Sequence, residues 1–286
     1  MKKLLAVLFL TTIMVAPALC ETSIWTVKTD STTTYIGGTI HLLRASDYPL
    51  PEEYDKAYEA SSILVLETDF SKLQTIEFQQ ALMAEAMYTD GTTLDQVLSE
   101  EAWEEFEEFC VEKKTDPNGL KPYKPWMAML SLMLAELQKM GVDGEGVDQH
   151  YYARALKDEK TLGQLETIET QLEAMTSMAD DNESAFILNG LEQAEEMGDI
   201  FAKLIDAWKV GDVSFLRDEL LAETKKEFPK LFKKMFVDRN NAWMPKVEEY
   251  IGTTETELIL VGSGHLVGEE GVIDQLRKKG YKVEKL

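Results

Sequence analysis

The sequence contains very little histidine and cysteine, the side chains that most often hold transition metals. Its 286 residues include three histidines and two cysteines, which is too few for a disulfide framework or a cysteine-based zinc site. Basic residues are also scarce, 29 against 52 acidic ones, so the formal net charge is −23. Such a charge repels nucleic-acid phosphates and anionic lipids, which argues against nucleic acid and membrane surfaces as partners.

The N-terminus has the three-part pattern of a secretory signal peptide. Two lysines are followed by an apolar run and then by small residues at Ala16, Ala18 and Cys20. Residues 1–20 are therefore predicted to be removed, with cleavage after Ala18 or Cys20, which sends the chain to the periplasm or the medium. The alternative is an uncleaved anchor, although the apolar run is shorter than the ~20 residues that span a bilayer. A lipoprotein signal at Cys20 is a further alternative, which the bulky residue before it disfavours.

One cysteine, Cys110, would remain after cleavage, so the mature chain could form no internal disulfide. It shares one face of an acidic helical segment with Trp103, Phe106 and Phe109, which predicts a buried, small apolar side chain. A second apolar segment, Trp126–Met140, is too short to span a bilayer. We interpret it as a core helix, with a methionine-rich surface for a partner as the alternative.

Short apolar segments near both ends of the chain predict strands, and the long stretch between them predicts helices. The result is an α/β fold in one domain over residues 21–286, with a central mixed sheet built from both chain ends and a large helical insertion at about residues 70–250. The strands are expected at Ser23–Val27, Thr33–Gly38, Ile63–Leu66, Thr161–Leu165, Leu258–Val261 and Tyr281–Glu284. The clearest helices are expected at Glu52–Ala60, Val147–Lys157, Asp238–Ile251 and Gly268–Lys279.

Two of the three histidines end the same short pattern, Gly-x-x-His, directly after a predicted strand. Gly38 precedes His41 in this pattern, and Gly262 precedes His265. Glycine lets the backbone approach a ligand, and ligands bind at the carboxyl edge of open α/β sheets. The alternative is that both are core histidines that bond to the backbone. As ligands at a strand edge they would pack little, so replacing either with alanine is expected to leave the fold intact.

Carboxylates follow two other predicted strands. Glu67 comes directly after Ile63–Leu66, and Glu166 comes directly after Thr161–Leu165. Two imidazoles and one carboxylate match the ligand count of catalytic zinc or related divalent sites, which keep a position open for water. The alternatives are a solvated charge for Glu67 and a first-turn helix residue for Glu166.

Three more residues are candidates for the site. His150 starts a helix in which Asp148 could act as a cap, and a surface histidine is its alternative. Arg239 could orient a carboxylate or stabilise an oxyanion, and Asn240 could donate to a substrate carbonyl. The alternative for that pair is an N-cap at Asp238 combined with a structural ion pair.

Together these segments resemble the TraB/PrgY/GumN family, and most closely its secreted GumN-like branch. The family includes the Tiki metalloproteases, so the resemblance implies His41 and His265 as metal ligands, with Glu67 as a ligand or general base. It also implies a fold related to the erythromycin esterase and haem-binding ChaN groups. The segments that carry the resemblance are Tyr35–His41, Leu64–Glu67, Gly146–His150, Leu165–Thr167, Arg239–Asn240, Val261–Gly268 and Gly280–Val283.

These observations lead to one main functional hypothesis and two alternatives. The main hypothesis is a secreted metal-dependent hydrolase, a peptidase, that uses a divalent cation such as Zn, Mn or Co and acts on a peptide or protein. In it, Arg239 or Asn240 would stabilise the tetrahedral oxyanion. The alternatives are a non-catalytic peptide- or ligand-binding regulator with the same cleft, and a haem- or iron-binding protein.

Overall fold

The computed structural model describes residues 22–30, 32–179 and 182–286. The predicted signal peptide and its cleavage site lie outside the described residues. Within the described part of the chain, no helix combines the length and the apolar character that crossing a membrane requires.

A six-stranded mixed sheet forms the centre of the protein, as predicted from the two chain ends. Its strand order is β6-β4-β7-β2-β1-β8. The first four strands in this order are mutually parallel. β1 pairs antiparallel with β2, and β8 pairs antiparallel with β1. A separate two-stranded sheet pairs β3 with β5. The strands are β1 (Ile24–Lys28), β2 (Thr33–Thr39), β3 (Leu42–Leu43), β4 (Ile63–Leu66), β5 (Gly144–Glu145), β6 (Thr161–Gln164), β7 (Glu257–Gly262) and β8 (Val283–Lys285).

Helices fill the stretch between β4 and β7, but this insertion is interrupted by β5 and β6, and β6 is an edge strand of the main sheet. The α-helices are α1 (Glu52–Ala60), α2 (Phe70–Leu73), α3 (Ile76–Ala86), α4 (Leu94–Val97), α5 (Glu100–Glu112), α6 (Pro117–Leu120), α7 (Pro125–Lys139), α8 (Val147–Lys157), α9 (Ile168–Thr176), α10 (Glu183–Lys209), α11 (Ala222–Glu227), α12 (Pro229–Phe232), α13 (Arg239–Ile251) and α14 (Val272–Lys278). Short 3-10 turns lie at Ala45–Asp47, Ser177–Ala179 and Ser263–His265, and π-helical turns at Leu216–Leu221 and Lys233–Asp238.

Two predicted helix starts are wrong. The last helix begins at Val272 rather than Gly268, because Gly268 has φ +85° and Gly271 takes the N-cap position in an extended conformation. Asp238 is not an N-cap, since its backbone is already helical and continues the preceding π-helical turn into α13. It forms an ion pair with Lys233 instead.

Apolar side chains cover both faces of the main sheet, which explains why its central strands lack an alternating pattern. On β7, Leu258 and Leu260 belong to one core and Ile259 and Val261 to the other. A third core lies among the helices of the insertion and contains Cys110, which is buried, as expected. The segment around α7 contributes to this third core through Ala128, Met129 and Leu132, which confirms that α7 is a core helix.

The small sheet fixes the loop that follows β2. Because β3 begins directly after His41 and β5 ends just before Gly146, pairing of these strands brings the two segments together. The Val147 N–H also donates to the Ile40 carbonyl at 3.0 Å. A side chain at Gly146 would collide with the His41 carbonyl, so glycine is required for this close approach. The sequence pattern did not predict these two-residue strands.

Candidate active site

The predicted site residues lie in order along one edge of the sheet. The four parallel strands β6, β4, β7 and β2 end at this edge. Glu166 follows β6, Glu67 follows β4, His265 follows β7 and His41 follows β2. Parallel strands present their carboxyl ends on the same side. Residues up to 224 positions apart in the sequence therefore meet here, as the predicted strand ends indicated.

Gly262 is the point on which three of these side chains converge. A methyl group built on its Cα would lie 3.2 Å from Glu67 Oε1, 3.4 Å from His41 Nε2 and 3.7 Å from His265 Cδ2. The Gly262 N–H donates to Glu67 Oε1 at 2.6 Å. Glycine at this position therefore keeps open the space that the two imidazoles and the carboxylate surround.

His41 is held by a carboxylate through the ring nitrogen that faces away from Gly262. Its Nδ1 lies 2.6 Å from Asp148 Oδ2 in the first turn of α8. The His41 side chain is 59% exposed, while Asp148 is buried. Partial burial lowers the pKa of the imidazole, but the Asp148 charge and hydrogen bond, together with the Glu67 charge, raise it to about 9. Asp148 therefore orients the ring and directs Nε2 towards Glu67.

His265 is held by an amide rather than a carboxylate. Asn240 Nδ2 donates to the carbonyls of His265 and Glu270 at 3.2 and 2.9 Å, so Asn240 Oδ1 is the acceptor for His265 Nδ1, 2.7 Å away. Nε2 of His265 therefore carries the lone pair. Burial, together with the positive charges of Arg239 and His41, lowers the pKa of His265 to about 3 despite the Glu67 charge. His265 is a neutral imidazole.

The guanidinium of Arg239 forms hydrogen bonds with three side chains of the site. It donates to Glu67 Oε2 at 2.7 Å, to Glu166 Oε1 at 2.6 Å and to His265 Nε2 at 3.0 Å. Burial of Glu67 opposes its ionisation, yet its pKa is lowered to about 2. The causes are the charge that His265 carries below its own pKa, the charges of Arg239 and His41, and the hydrogen bond from the Gly262 N–H. Trp243 contacts two of these residues. Its Nε1 donates to Glu166 Oε2 at 2.9 Å, and its ring centroid lies 4.4 Å from that of His265.

Arg239 contacts two of the three residues that were expected to hold a metal ion. Among the described residues, no three His, Cys, Asp or Glu side chains are arranged to hold a metal ion. The physical reason is Arg239, which occupies Glu67 Oε2 and the lone pair of His265. Arg239 forms no hydrogen bond with His41 Nε2 or Glu67 Oε1, and both atoms border the space at Gly262.

Three buried oxygens of residues next to the site have no hydrogen-bond partner within the described part of the chain. They are Thr39 Oγ1, Thr68 Oγ1 and Asp148 Oδ1. Thr39 ends β2, Thr68 follows Glu67, and Asp148 holds His41.

The structure separates the remaining candidates by their contacts. His150 is half-buried, and its ring packs against Tyr48 and Tyr151. Glu166 is buried and anchors Arg239, so it is not simply a first-turn helix residue. Both amide hydrogens of Asn240 are used by backbone carbonyls, so in this arrangement it orients His265 and has no hydrogen left for a substrate carbonyl.

Asp148 and Trp243 are the site residues whose role the sequence analysis missed. Asp148 was assigned only a possible capping role, although it lies two residues from His150 in a segment already singled out. Its position in the first turn of a helix is typical of many acidic residues. Its partner, His41, lies 107 positions away, and no local pattern indicates that pairing.

Comparison with known proteins gives a family and distant relatives. A family model described as the TraB/PrgY/gumN family matches residues 23–285. The uncharacterized protein YbaP of Escherichia coli (strain K12) is 24% identical over 241 residues, which covers 84% of this chain and 86% of YbaP. YbaP of Shigella flexneri gives the same values. No solved structure matches the chain.

Proposed function

We propose that this chain, which belongs to the TraB/PrgY/gumN family, is an exported metal-dependent hydrolase that cleaves peptide bonds. The observation that carries the proposal is the convergence of His41, Glu67 and His265 around Gly262. Each imidazole has Nδ1 bonded to an oxygen, which leaves Nε2 for a ligand. Nε2 of His41 borders the shared space at Gly262, while Nε2 of His265 contacts Arg239 at 3.0 Å. This second-sphere hydrogen bonding is the usual support of metal-binding histidines.

The chemical types of the donor atoms at this site are those that bind divalent transition metals. Two imidazole Nε2 atoms and one carboxylate are the ligands of many catalytic zinc sites and also suit Mn or Co. His41, His265 and Glu67 would hold the ion. Arg239 would have to give up its bonds to Glu67 and His265, while Glu166 could keep the guanidinium nearby through its own ion pair.

The roles of the protein groups follow from their bonds. The bound ion would polarise the scissile carbonyl and lower the pKa of a water molecule. Glu67 would accept the proton of that water if it is not itself a ligand. A released Arg239 could donate to the oxyanion, because its hydrogens would no longer be used by Glu67 and His265. Asn240 and Asp148 would act as positioning residues for the two imidazoles.

A second candidate is hydrolysis without a metal. It is favoured by the contact of Arg239 with Glu67 and His265, which leaves the His41–Asp148 pair as the most accessible acid–base group. A histidine oriented by a carboxylate is a common acid–base group, and the raised pKa of His41 favours it as a proton donor at neutral pH. Arg239 could remain in place throughout.

Metal content and hydrolysis, measured on untagged protein, test the proposal. We expect about one equivalent of metal per chain, and cleavage of a quenched-fluorescence peptide mixture that is lost with a chelator and restored by Zn, Mn or Co. His41→Ala and Glu67→Gln should lose both properties, while the matched control His150→Gln should keep them. Cleavage that persists after chelation would support the second candidate.

The same measurements can also contradict the proposed hydrolase function. Parent protein that binds no more metal than His41→Ala and cleaves no peptide would overturn both catalytic proposals. In that case retained peptide binding would favour a non-catalytic regulator, and a Soret absorbance band would favour haem binding.

A further inference from the structure

A groove lies between α3 and α9, beyond the strand ends that carry the site. Its volume is about 590 Å³, within the size range of ligand-binding clefts. The groove is linked to the site by both chain segments that enclose it. α2 begins three residues after Glu67 and leads into α3, and α9 begins two residues after Glu166.

The floor of this groove is apolar and incompletely covered. Phe78 and Ala81 of α3 face Ile168 and Leu172 of α9 across it. Ala86 is the one buried residue of α3, although the helix also carries Ile76, which is 70% exposed. A helix with this much apolar surface and so little burial is unusual unless another group covers it.

The rim of the groove is acidic. Four glutamates line it, Glu77, Glu85, Glu169 and Glu173, against the single cation Lys72. Glu85 is partly neutralised by Lys124, 3.7 Å away. Neither Glu77 nor Glu173 has an ion pair within the described residues. The groove therefore combines an apolar floor with unneutralised negative charge.

Glu173 connects the groove to the site itself. It also lines a smaller cavity, of about 270 Å³, on whose wall Arg239 lies. A chain that occupied the groove and continued past Glu173 would reach the cavity lined by Arg239, the residue that contacts Glu67 and Glu166. This continuity distinguishes the groove from the other acidic surfaces of the protein.

We propose that the groove between α3 and α9 binds the polypeptide substrate in an extended form and selects segments with a basic side chain among apolar ones. The inference rests on the proposed peptidase function. α3 has 11 residues and is about 16 Å long at ~1.5 Å per residue, which matches roughly five residues of an extended peptide. Apolar side chains would contact Phe78 and Leu172, and a cationic one would lie near Glu77 or Glu173.

Binding of three related peptides, measured by fluorescence anisotropy, tests this inference. The probes are labelled eight-residue peptides of leucine and valine with one central arginine, citrulline or glutamate. The full chain is used with a chelator present, and mass spectrometry checks that the peptides stay intact. We expect the arginine peptide to bind at least 5-fold more tightly than the citrulline peptide, and the glutamate peptide to bind most weakly.

Variants locate the binding. Glu77→Gln with Glu173→Gln should weaken the arginine peptide 5- to 10-fold and leave the citrulline peptide unchanged. Ala81→Arg, at an exposed position in the groove, should weaken the arginine peptide most and the citrulline peptide less, while its charge offsets part of the steric loss for the glutamate peptide. The matched control is Glu192→Gln with Glu195→Gln, which removes the same charge from another acidic pocket, on α5 and α10, and should change nothing.

Several results would overturn the inference. Equal affinity for the three peptides would exclude charge selection, and equal weakening by the control would show that only the net charge of the protein matters. If light scattering shows a dimer that Ala81→Arg dissociates, the groove is an interface between copies of this chain. Because binding is measured without hydrolysis, an inactive protein that still selects the arginine peptide would contradict the proposed function but not the groove.

Discussion

His41 Nδ1 lies 2.6 Å from Asp148 Oδ2, and this contact determines which nitrogen of the imidazole faces the site. Replacing Asp148 with asparagine would keep the size of the side chain but remove the charge that favours the Nδ1–H form. We expect Asp148→Asn to weaken metal binding about 10- to 100-fold, as is usual for such supporting residues. Competition titration with a metal-sensitive dye measures this affinity.

The control for this variant is Asp143→Asn, an exposed position on the loop before β5 that makes the same chemical change. It should leave the affinity unchanged. Equal affinities for the parent and Asp148→Asn would show that the ring orientation of His41 does not matter for metal binding.

Gly262 offers a way to close the site without removing any of its functional groups. Its backbone, at φ −50° and ψ 134°, is accessible to alanine. The added methyl group would lie 3.2 Å from Glu67 Oε1 and 3.4 Å from His41 Nε2. We expect Gly262→Ala to fold with a melting temperature near that of the parent, and to lose at least 10-fold in metal affinity and hydrolysis.

Gly119→Ala is the matched control, because a methyl group there would meet no atom within 4 Å. Calorimetry and the dye titration, applied to both variants, separate folding from binding. Metal affinity in Gly262→Ala equal to that of the parent would place the ion elsewhere.

The strand ends could be predicted because each depends on local sequence. The continuous apolar run Ile63–Leu66 gave β4 with its observed bounds, and the 3.6-residue pattern gave α8 equally well. A glutamate directly after β4 then had to lie at the carboxyl edge of the sheet. For the same reason both Gly-x-x-His segments were assigned to the edge where they lie.

The contacts across the site could not be predicted in the same way. Arg239 lies 172 positions from Glu67 and reaches it only because α13 packs on the sheet through its apolar face. The sequence suggested that Arg239 could orient a carboxylate, but not that it also contacts His265. Helix docking of this kind depends on tertiary packing, which leaves no periodic signal.

Glu257 provides a pH-dependent prediction away from the site. It is buried at the start of β7, where desolvation raises its pKa although Thr253 and Thr34 donate to it. Between the unfolded and folded pKa values the folded state binds more protons, so stability falls as pH rises through this window. Glu257→Gln should therefore raise the melting temperature by a few degrees at neutral pH.

The gain should disappear below the unfolded pKa, where the glutamate is protonated in both states. Thermal unfolding of the parent and Glu257→Gln between acidic and neutral pH measures this difference. The control is Glu249→Gln, an exposed change on α13. A gain that is independent of pH would mean that the substitution acts through packing rather than charge.

Arg239 should be essential for the stability of the protein in the absence of metal. Its loss would leave Glu67 and Glu166, both 5% exposed, without their shared cation. Removing one partner of a buried ion pair costs about 3 to 5 kcal/mol. We expect Arg239→Gln to lower the free energy of unfolding by that amount in urea titrations with a chelator.

Lys233→Gln is the control, because it breaks an exposed ion pair with Asp238 just before α13, and such pairs contribute about 0 to 1 kcal/mol. Adding Glu166→Gln to Arg239→Gln should restore part of the lost stability. A double variant less stable than Arg239→Gln alone would show that the charge balance around Arg239 is not the cause.

The two histidines should differ in their effect on folding, contrary to the expectation that neither contributes to packing. His41 has a side chain that is 59% exposed, so His41→Ala opens no closed cavity. It leaves buried Asp148 without its partner and should cost about 1 to 2 kcal/mol. His265 is 5% exposed, packs on Trp243 and bonds to Asn240. Its replacement leaves a cavity and an unpaired amide oxygen, which should cost about 2 to 4 kcal/mol.

Both variants should nevertheless lose metal binding to a similar extent, because each removes one proposed ligand. Urea unfolding must be measured with a chelator, since bound metal would stabilise the parent by mass action. Metal content is measured separately on the same preparations. If both variants unfold at the same urea concentration, below that of the parent, and still bind metal like the parent, the two histidines have only structural roles.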